Sequence, residues 1–420
     1  MERKQTQVQT RRPFENFTRR EWERLGLVAL LFTYLLIFAA NLKVLGIFNY
    51  VGIDFRTFYS SAQIATVEGF AKVYDLHIQE KYQLQIFKDY AKDYTAIPYE
   101  TVPTPYFPIF IVPFVPFTLF KPGVSFTIYS LLSLGATIFY SLRFTKKLGG
   151  HTNTGWIILG IIVSLPSFLT FFYGQVNVWL LICLGEFLLS EINGKHFTSG
   201  LWLSGWIIKP QLLIFLLPWM VFKKRIQPLL GFLAGCLGLI ILSTCVAGID
   251  WFQNWLNLLV QYPGSLATTN PQAMMNWRAF ALNLSAIIPS NIAWEWAWLG
   301  IGVLMVATIK IWFIDNQRAG IGIPLLTNLC ATFSITWHSH LHTALPLVIP
   351  LLFLIKQRVI PKRVWSIWLS IPTIGFFLGY LTKWIFPENN ISGTTMLLLN
   401  TSIVAWMAFI QPKHFEKELS

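Results

Sequence analysis

The stretch LGLVALLFTYLLIFAANLK at 25–43 decides the fold class, because it holds no acid and its single cation, Lys43, stands at its last position. A run of that length and composition crosses the hydrocarbon core of a bilayer as a helix. Comparable runs cover 124–142, 156–173, 228–247, 295–314, 321–337, 364–381 and 394–410. Shorter or broken ones cover 104–120, rich in proline (Pro105, Pro108, Pro113, Pro116), then 176–190, 198–222, interrupted by Lys209 and Pro210, and 343–355. The reading is an all-α, polytopic integral membrane protein of about 12 transmembrane helices.

Composition agrees with that reading. Of 420 residues, 54% are apolar, 16% aromatic and only 12% charged, against roughly 25% charged in a soluble domain. This excludes a soluble globular protein, and no polar stretch is long enough to form an independent extramembrane domain. The net charge of +13 would point to nucleic acid in a soluble protein. Here the cations cluster at the ends of apolar runs, so they set topology and imply no nucleic-acid partner. Cys183, Cys236, Cys245 and Cys330 all lie inside apolar segments and behave as small hydrophobes, not as a disulfide or metal framework.

The segment 1–24 carries Arg3, Lys4, Arg11, Arg12, Arg19, Arg20 and Arg24 ahead of the first apolar run. It reads as a cytoplasmic arm and not as a cleavable signal. Lys223-Lys224-Arg225, Lys356 with Arg358, Lys362 and Arg363, and Lys413 with Lys417 also belong in the cytoplasm, which puts both termini there. One membrane domain then covers 25–410, followed by a cytoplasmic tail at 411–420. Its two large loops fall outside: 44–103, with seven acids against five bases, and 248–294, whose one Lys/Arg is Arg278. Two crossings within 104–142 would leave Arg143, Lys146 and Lys147 outside, so a re-entrant 104–120 is preferred. In that version 198–208 and 211–222 form a short hairpin, with Gln175 and Lys209 both near the extracytoplasmic face.

Four constellations could carry chemistry. The first external loop reads GIDFRTFYSSAQ at 52–63, and Phe55, Phe58, Tyr59 and Ala62 recur at helical spacing, as in a helix lying along the membrane interface. Asp54 opens that helix. It is either a cap or a partly desolvated carboxylate able to take a proton from a hydroxyl. GQVN at 174–177 interrupts two apolar runs, and its amides either bind a sugar or phosphate or satisfy the backbone of a helix hairpin. Lys209 stands mid-run before Pro210 with no acid nearby in sequence. An intramembrane charge is a functional-site hypothesis by default, here a point charge for a phosphate. The bland alternatives are snorkelling or a pair with Glu186.

WHSHLH at 337–342 places His338, His340 and His342 between two runs. With no acid or cysteine to complete a zinc set, hydrogen bonding to phosphate or sugar is favoured over metal, and ordinary interfacial polarity is the bland alternative. Arg278, in MNWRAF, is a candidate anion contact, while most of the nearby tryptophans read as an interfacial belt. The segment TPYFPIFIVPFVPF lacks acidic and basic side chains and shapes a groove.

In their order along the chain, Asp54 opening DFRTFY, VYD at 73–75, YFPIF, GQVN, KPQLLIFLLP and the late histidines resemble glycosyltransferase family 87. That family comprises the polyprenyl-phosphate-mannose-dependent α-mannosyltransferases of the GT-C superfold. The resemblance implies a GT-C-like enzyme of the plasma membrane. Such an enzyme moves a sugar, mannose in the reference case, with inversion, from a polyprenyl-phosphate donor to a lipid or cell-envelope glycan acceptor on the extracytoplasmic side. It assigns Asp54 as catalytic base; the negative charge that develops on the donor phosphate needs cations or donors nearby, and Lys209, Arg278, His338 and His342 are the available set. Gln175, Asn177, Gln211, Tyr59 and His340 fall to sugar or phosphate contact. No cofactor and no metal are implied, since no Asp-x-Asp pair stands in the outer loops, though Glu68, Asp75 and Glu80 are further acids of the right loop. The competing reading is a transporter or flippase of lipid-linked intermediates, supported by the broken helix at Pro210.

Overall fold

The computed structural model describes residues 18–90, 92, 99–150, 154–261, 270–314, 320–386 and 389–409. Most of the basic arm, including Arg3, Lys4, Arg11 and Arg12, and the tail 411–420 with Lys413 and Lys417 lie outside the described residues. Among those residues the fold is helical throughout and contains no strand.

In chain order the helices are α1 (Arg19–Val44), α2 (Ile53–Val67), α3 (Leu76–Tyr90), α4 (Pro108–Ile111), α5 (Pro122–Lys147), α6 (Thr154–Ile162), α7 (Leu165–Tyr173), α8 (Asn177–Ile192) and α9 (His196–Ser204). There follow α10 (Leu216–Phe222), α11 (Ile226–Ala247), α12 (Trp251–Gln261), α13 (Trp277–Leu284), α14 (Ser290–Phe313), α15 (Gly322–Ile335), α16 (Val348–Lys356), α17 (Arg363–Ile385) and α18 (Ser392–Phe409). Short 3-10 turns join several of them. Among the described residues six helices, α1, α5, α11, α14, α17 and α18, are long and apolar enough to cross a membrane. The α6–α7 pair makes a seventh if counted as one span bent by 52°.

The full-length helices therefore number fewer than the twelve runs read from sequence, and the reason is local. Ser164 caps α7 and Pro166 sits in its first turn, which breaks 156–173 in two. Pro210 follows a lysine in a non-helical conformation and splits 198–222. Pro108–Leu119, Pro210–Phe222, Gly322–Ile335 and Leu341–Lys356 remain as shorter apolar helices.

Two ends of the bundle can be told apart by their contacts. At one, Arg143 pairs with Glu186, Arg225 with Glu191, and Lys356 Nζ donates to the Gly150 carbonyl at 2.9 Å. There too the Arg24 guanidinium lies 4.9 Å from the Trp156 ring. At the other, the Gly52 amide donates to Phe172 O at 2.8 Å and Tyr129 Oη to Gln175 O at 2.9 Å. Helix α1 ends and α5 begins at this second end, so the chain between them starts and finishes on one side. Pro108–Leu119 accordingly doubles back, held by Ile109 N donating to Ser243 Oγ at 3.4 Å. Arg143, Lys146 and Lys147, at the far end of α5, join the other cations without a second crossing.

Helix packing in the bundle depends on small residues where lipid gives no hydrophobic drive. A Cβ on Gly200 would run into the Pro228 carbonyl, and one on Gly231 into the Phe197 carbonyl, so α9 and α11 meet backbone to backbone. Leu36, Phe139, Ile241 and Val306, all exposed, mark surfaces that face lipid.

Helix α2 departs from expectation. Phe55, Phe58, Tyr59 and Ala62 are buried, so it does not lie along the membrane surface. It forms the core of a cap at this second end of the bundle instead, with Phe58 stacked on Phe114 at 4.6 Å and on Tyr106 at 5.1 Å. Arg56, 1% exposed, fixes the cap by donating to Phe48 O at 3.1 Å and Glu100 O at 2.7 Å between the Phe87 and Tyr99 rings.

Candidate active site

Asp54 is the second residue of α2, and the cap in front of it is Gly52, with φ 76° and no side-chain capping bond. The capping reading therefore fails. The carboxylate is left free for other partners beside the positive end of the helix dipole. Burial holds the Asp54 carboxyl above its usual range, while the Gln175 side chain as hydrogen-bond partner and the charges of Lys209 and Arg56 pull it back down.

Gln175 reaches Asp54 because Gly174 before it takes φ 75°, and a Cβ there would strike Cβ of Phe55. Its backbone is pinned from both sides, the amide donating to Thr170 O at 2.9 Å and the carbonyl accepting from Tyr129. The Gln175 side chain is thus not needed to hold the turn.

Lys209 occupies the break between the 3-10 turns Gly205–Ile208 and Pro210–Leu213 and is 7% exposed. It neither snorkels nor pairs with Glu186, whose carboxylate is taken by Arg143. Its Nζ donates to Gln175 Oε1 at 3.1 Å and to Asn177 Oδ1 at 2.9 Å. Asn177 in turn donates from Nδ2 to the His342 carbonyl at 3.0 Å and to Thr170 Oγ1 at 3.2 Å. One chain of contacts therefore runs from Asp54 through Gln175, Lys209 and Asn177 to the histidine segment.

The three histidines form one cluster, with ring centroids 4.8 Å apart between His338 and His340 and 5.5 Å between His340 and His342. His342 is buried, packs edge-on to Tyr173, and has no partner for Nδ1 among the described residues. His338 keeps an open face yet stands deep among protein atoms. Burial first, then Lys209 and Arg278, press it down to about 4. Burial, His338 and Lys209 press His340 down to about 3. Both are neutral at physiological pH and offer hydrogen bonds rather than charge. No group of three His, Cys, Asp or Glu side chains among the described residues is arranged to hold a metal ion.

Arg278, at the second position of α13, is brought to the same place by Asn276. That side chain caps α13 through Ala279 N at 2.9 Å and donates to Thr336 O at 2.9 Å, while Met275 N donates to Ser339 O at 2.9 Å. The Arg278 guanidinium lies 4.4 Å from the Trp337 ring, and its Nη1 has no hydrogen-bond partner among the described residues. A cation held by a ring and lacking a carboxylate is suited to an incoming anion.

Two other sequence candidates stand apart from this group. The Tyr59 hydroxyl is already committed to Phe120 O at 2.8 Å. Gln211 is exposed and hydrogen-bonds to none of the groups around Lys209. Of the further acids, Glu68 accepts from Tyr82 Oη at 3.0 Å and Asp75 accepts from the His77 amide at 3.0 Å. Asn276, Tyr129 and Trp337 were not singled out in the sequence. Only Asn276, an Asn before a short amphipathic helix, left a signal there, that of an N-cap.

The family model of glycosyltransferase family 87 matches residues 104–337, which include Gln175, Asn177, Lys209 and Arg278. No curated protein and no solved structure matches the chain.

Proposed function

The chain belongs to glycosyltransferase family 87, whose match covers more than half of it, and from that premise we propose that it is an inverting transferase working from a polyprenyl-phosphate sugar. The observation that carries this reading is the gathering of one carboxylate, Asp54, and the cations Lys209 and Arg278, with three neutral imidazoles, at one end of the bundle. An acid on one side and anion-binding groups on the other is the division of labour that displacement at an anomeric carbon requires.

In the proposed reaction Asp54 takes the proton of an acceptor hydroxyl as its oxygen bonds to the anomeric carbon. The bond from that carbon to the phosphate oxygen breaks, and its electron pair leaves on polyprenyl phosphate. Lys209, Arg278, His338 and His342 stabilise the charge that grows on the phosphate. His340 packs between the other two imidazoles and adds a neutral donor. Gln211 and Tyr59, which stand apart from this group, are given no part in the reaction. Mannose is the sugar proposed, and a lipid or cell-envelope glycan the acceptor.

The location follows from charge. Arg143, Lys146, Lys147, Lys223–Arg225 and Lys356 collect at the end opposite Asp54, so that end is cytoplasmic and the site faces outward, with both termini inside. With Pro108–Leu119 doubling back, a twelve-pass bundle in the plasma membrane takes the six long helices, the bent α6–α7 pair, α8, α9, Pro210–Phe222, α15 and Leu341–Lys356 as its passes. Helices of 10–17 residues span roughly 15–25 Å, less than the hydrocarbon core of about 30 Å. The site at their outer ends is recessed, within reach of a phosphate on a membrane-embedded carrier.

The test is release of polyprenyl phosphate from a panel of radiolabelled lipid-phosphate sugars by purified protein in liposomes, with membrane lipid extract as acceptor. Consumption of one donor supports the reading and names the sugar. Movement of labelled lipid between leaflets with no donor consumed supports a flippase instead.

A further inference from the structure

Lysine can only donate hydrogen bonds, so the two amides that contact Lys209 have no choice of orientation. Lys209 Nζ lies 3.1 Å from Gln175 Oε1. The amide nitrogen of Gln175 is thereby the end turned toward Asp54, the other side-chain partner it has. An amide N–H aimed at a carboxyl favours its ionised form. Gln175 is 7% exposed, and its backbone is held independently by Thr170 O and by Tyr129 Oη at 2.9 Å each, so its side chain is not needed to shape the turn.

The geometry points to Gln175 as a positioning residue, a relay through which Lys209 keeps Asp54 ionised and aimed, rather than a residue that touches the sugar. This deepens the glycosyltransferase reading and rests on it for the identity of the base. Its consequence is ordered activation. An anion arriving at Lys209 withdraws the ammonium's pull on Asp54, so the carboxylate becomes more basic once the donor is seated. The other groups facing Asp54 are Arg56 on its own helix, Tyr129 on α5 and Tyr173 on α7. The two tyrosines are neutral at working pH, and Arg56 is fixed in the cap, so Lys209 is the charge able to respond to a donor.

The test is Gln175→Met, which keeps length and flexibility while deleting the amide. The pH dependence of kcat/KM should show its acid limb moved to higher pH, with a loss of tenfold or more near that limb and near-wild-type turnover at alkaline pH. A merely structural defect would lower turnover at every pH. An infrared titration of the purified protein gives a second readout independent of turnover, following the protonated-carboxyl band that Asp54→Asn removes. In Gln175→Met that band should persist to higher pH, and inorganic phosphate added to the wild type should move it the same way. If the band and the acid limb both stay at their wild-type positions, the relay is wrong. If the band moves but no donor is turned over by any form, the relay stands and the transferase reading fails.

Discussion

Lys209→Met tests the anion half of the site most cleanly, because its effects on stability and on turnover separate. The substitution keeps the length of the side chain and removes an ammonium that is 7% exposed and, among the described residues, bonded to Gln175 Oε1 and Asn177 Oδ1. Each amide oxygen left without a partner costs about 1–3 kcal/mol. Against this, a buried ammonium no longer has to be desolvated, a gain of several kcal/mol. The two nearly cancel, so the melting temperature in detergent should move by only a few degrees. Turnover has no such compensation. A charge-assisted contact to a phosphate is worth about 1.5–3 kcal/mol, which is a loss of roughly 10- to 150-fold in kcat/KM for the donor. Steady-state release of polyprenyl phosphate measures it. A kcat/KM within about twofold of wild type, in protein that melts normally, would remove Lys209 from the phosphate site.

Arg278→Gln should raise the donor KM by about tenfold while leaving the fold intact, since its Nη1 has no protein partner among the described residues; an unchanged KM would make the Trp337 stack purely structural. Glu191→Gln should destabilise the opposite end by about 1.5–3 kcal/mol, because its buried carboxylate accepts from Arg225, Ser199 and His196, and thermal unfolding in detergent would show whether it does. For His340 the folded value lies near 3, below the unfolded value of about 6.5, so the unfolded state binds more protons. Stability should therefore fall as pH drops below about 6.5, and a melting temperature of His340→Gln that depends on pH as steeply as that of wild type would contradict this.

Much of the fold was legible because apolar runs and their flanking cations are one-dimensional signals. The doubling back at Pro108–Leu119 could be inferred from the placement of Arg143, Lys146 and Lys147 alone. The burial of α2 could not, since a helix packed between aromatics from α5 and the Pro-rich segment has the same periodicity as one lying on lipid. Asp54, Lys209 and the histidines were visible as polar groups where polarity is costly. The contacts that join such residues were not. Gln175 bonds Lys209 across 34 positions and Asn276 clamps Thr336 across 60, and such distances leave no local pattern. Tyr59 misled for a related reason, because its hydroxyl looks available in sequence and is taken by a backbone carbonyl in space.

The central claim is that Asp54 acts as the base for attack on a lipid-linked sugar, and a single-turnover comparison of wild type with Asp54→Asn tests it most directly. Both proteins would be preloaded with the donor that the wild type consumes and then mixed with acceptor extract. The account predicts equal donor occupancy in the two, with transfer slowed by 100-fold or more in Asp54→Asn, as general-base catalysis contributes about that much. Transfer at the wild-type rate from equally loaded Asp54→Asn would contradict it.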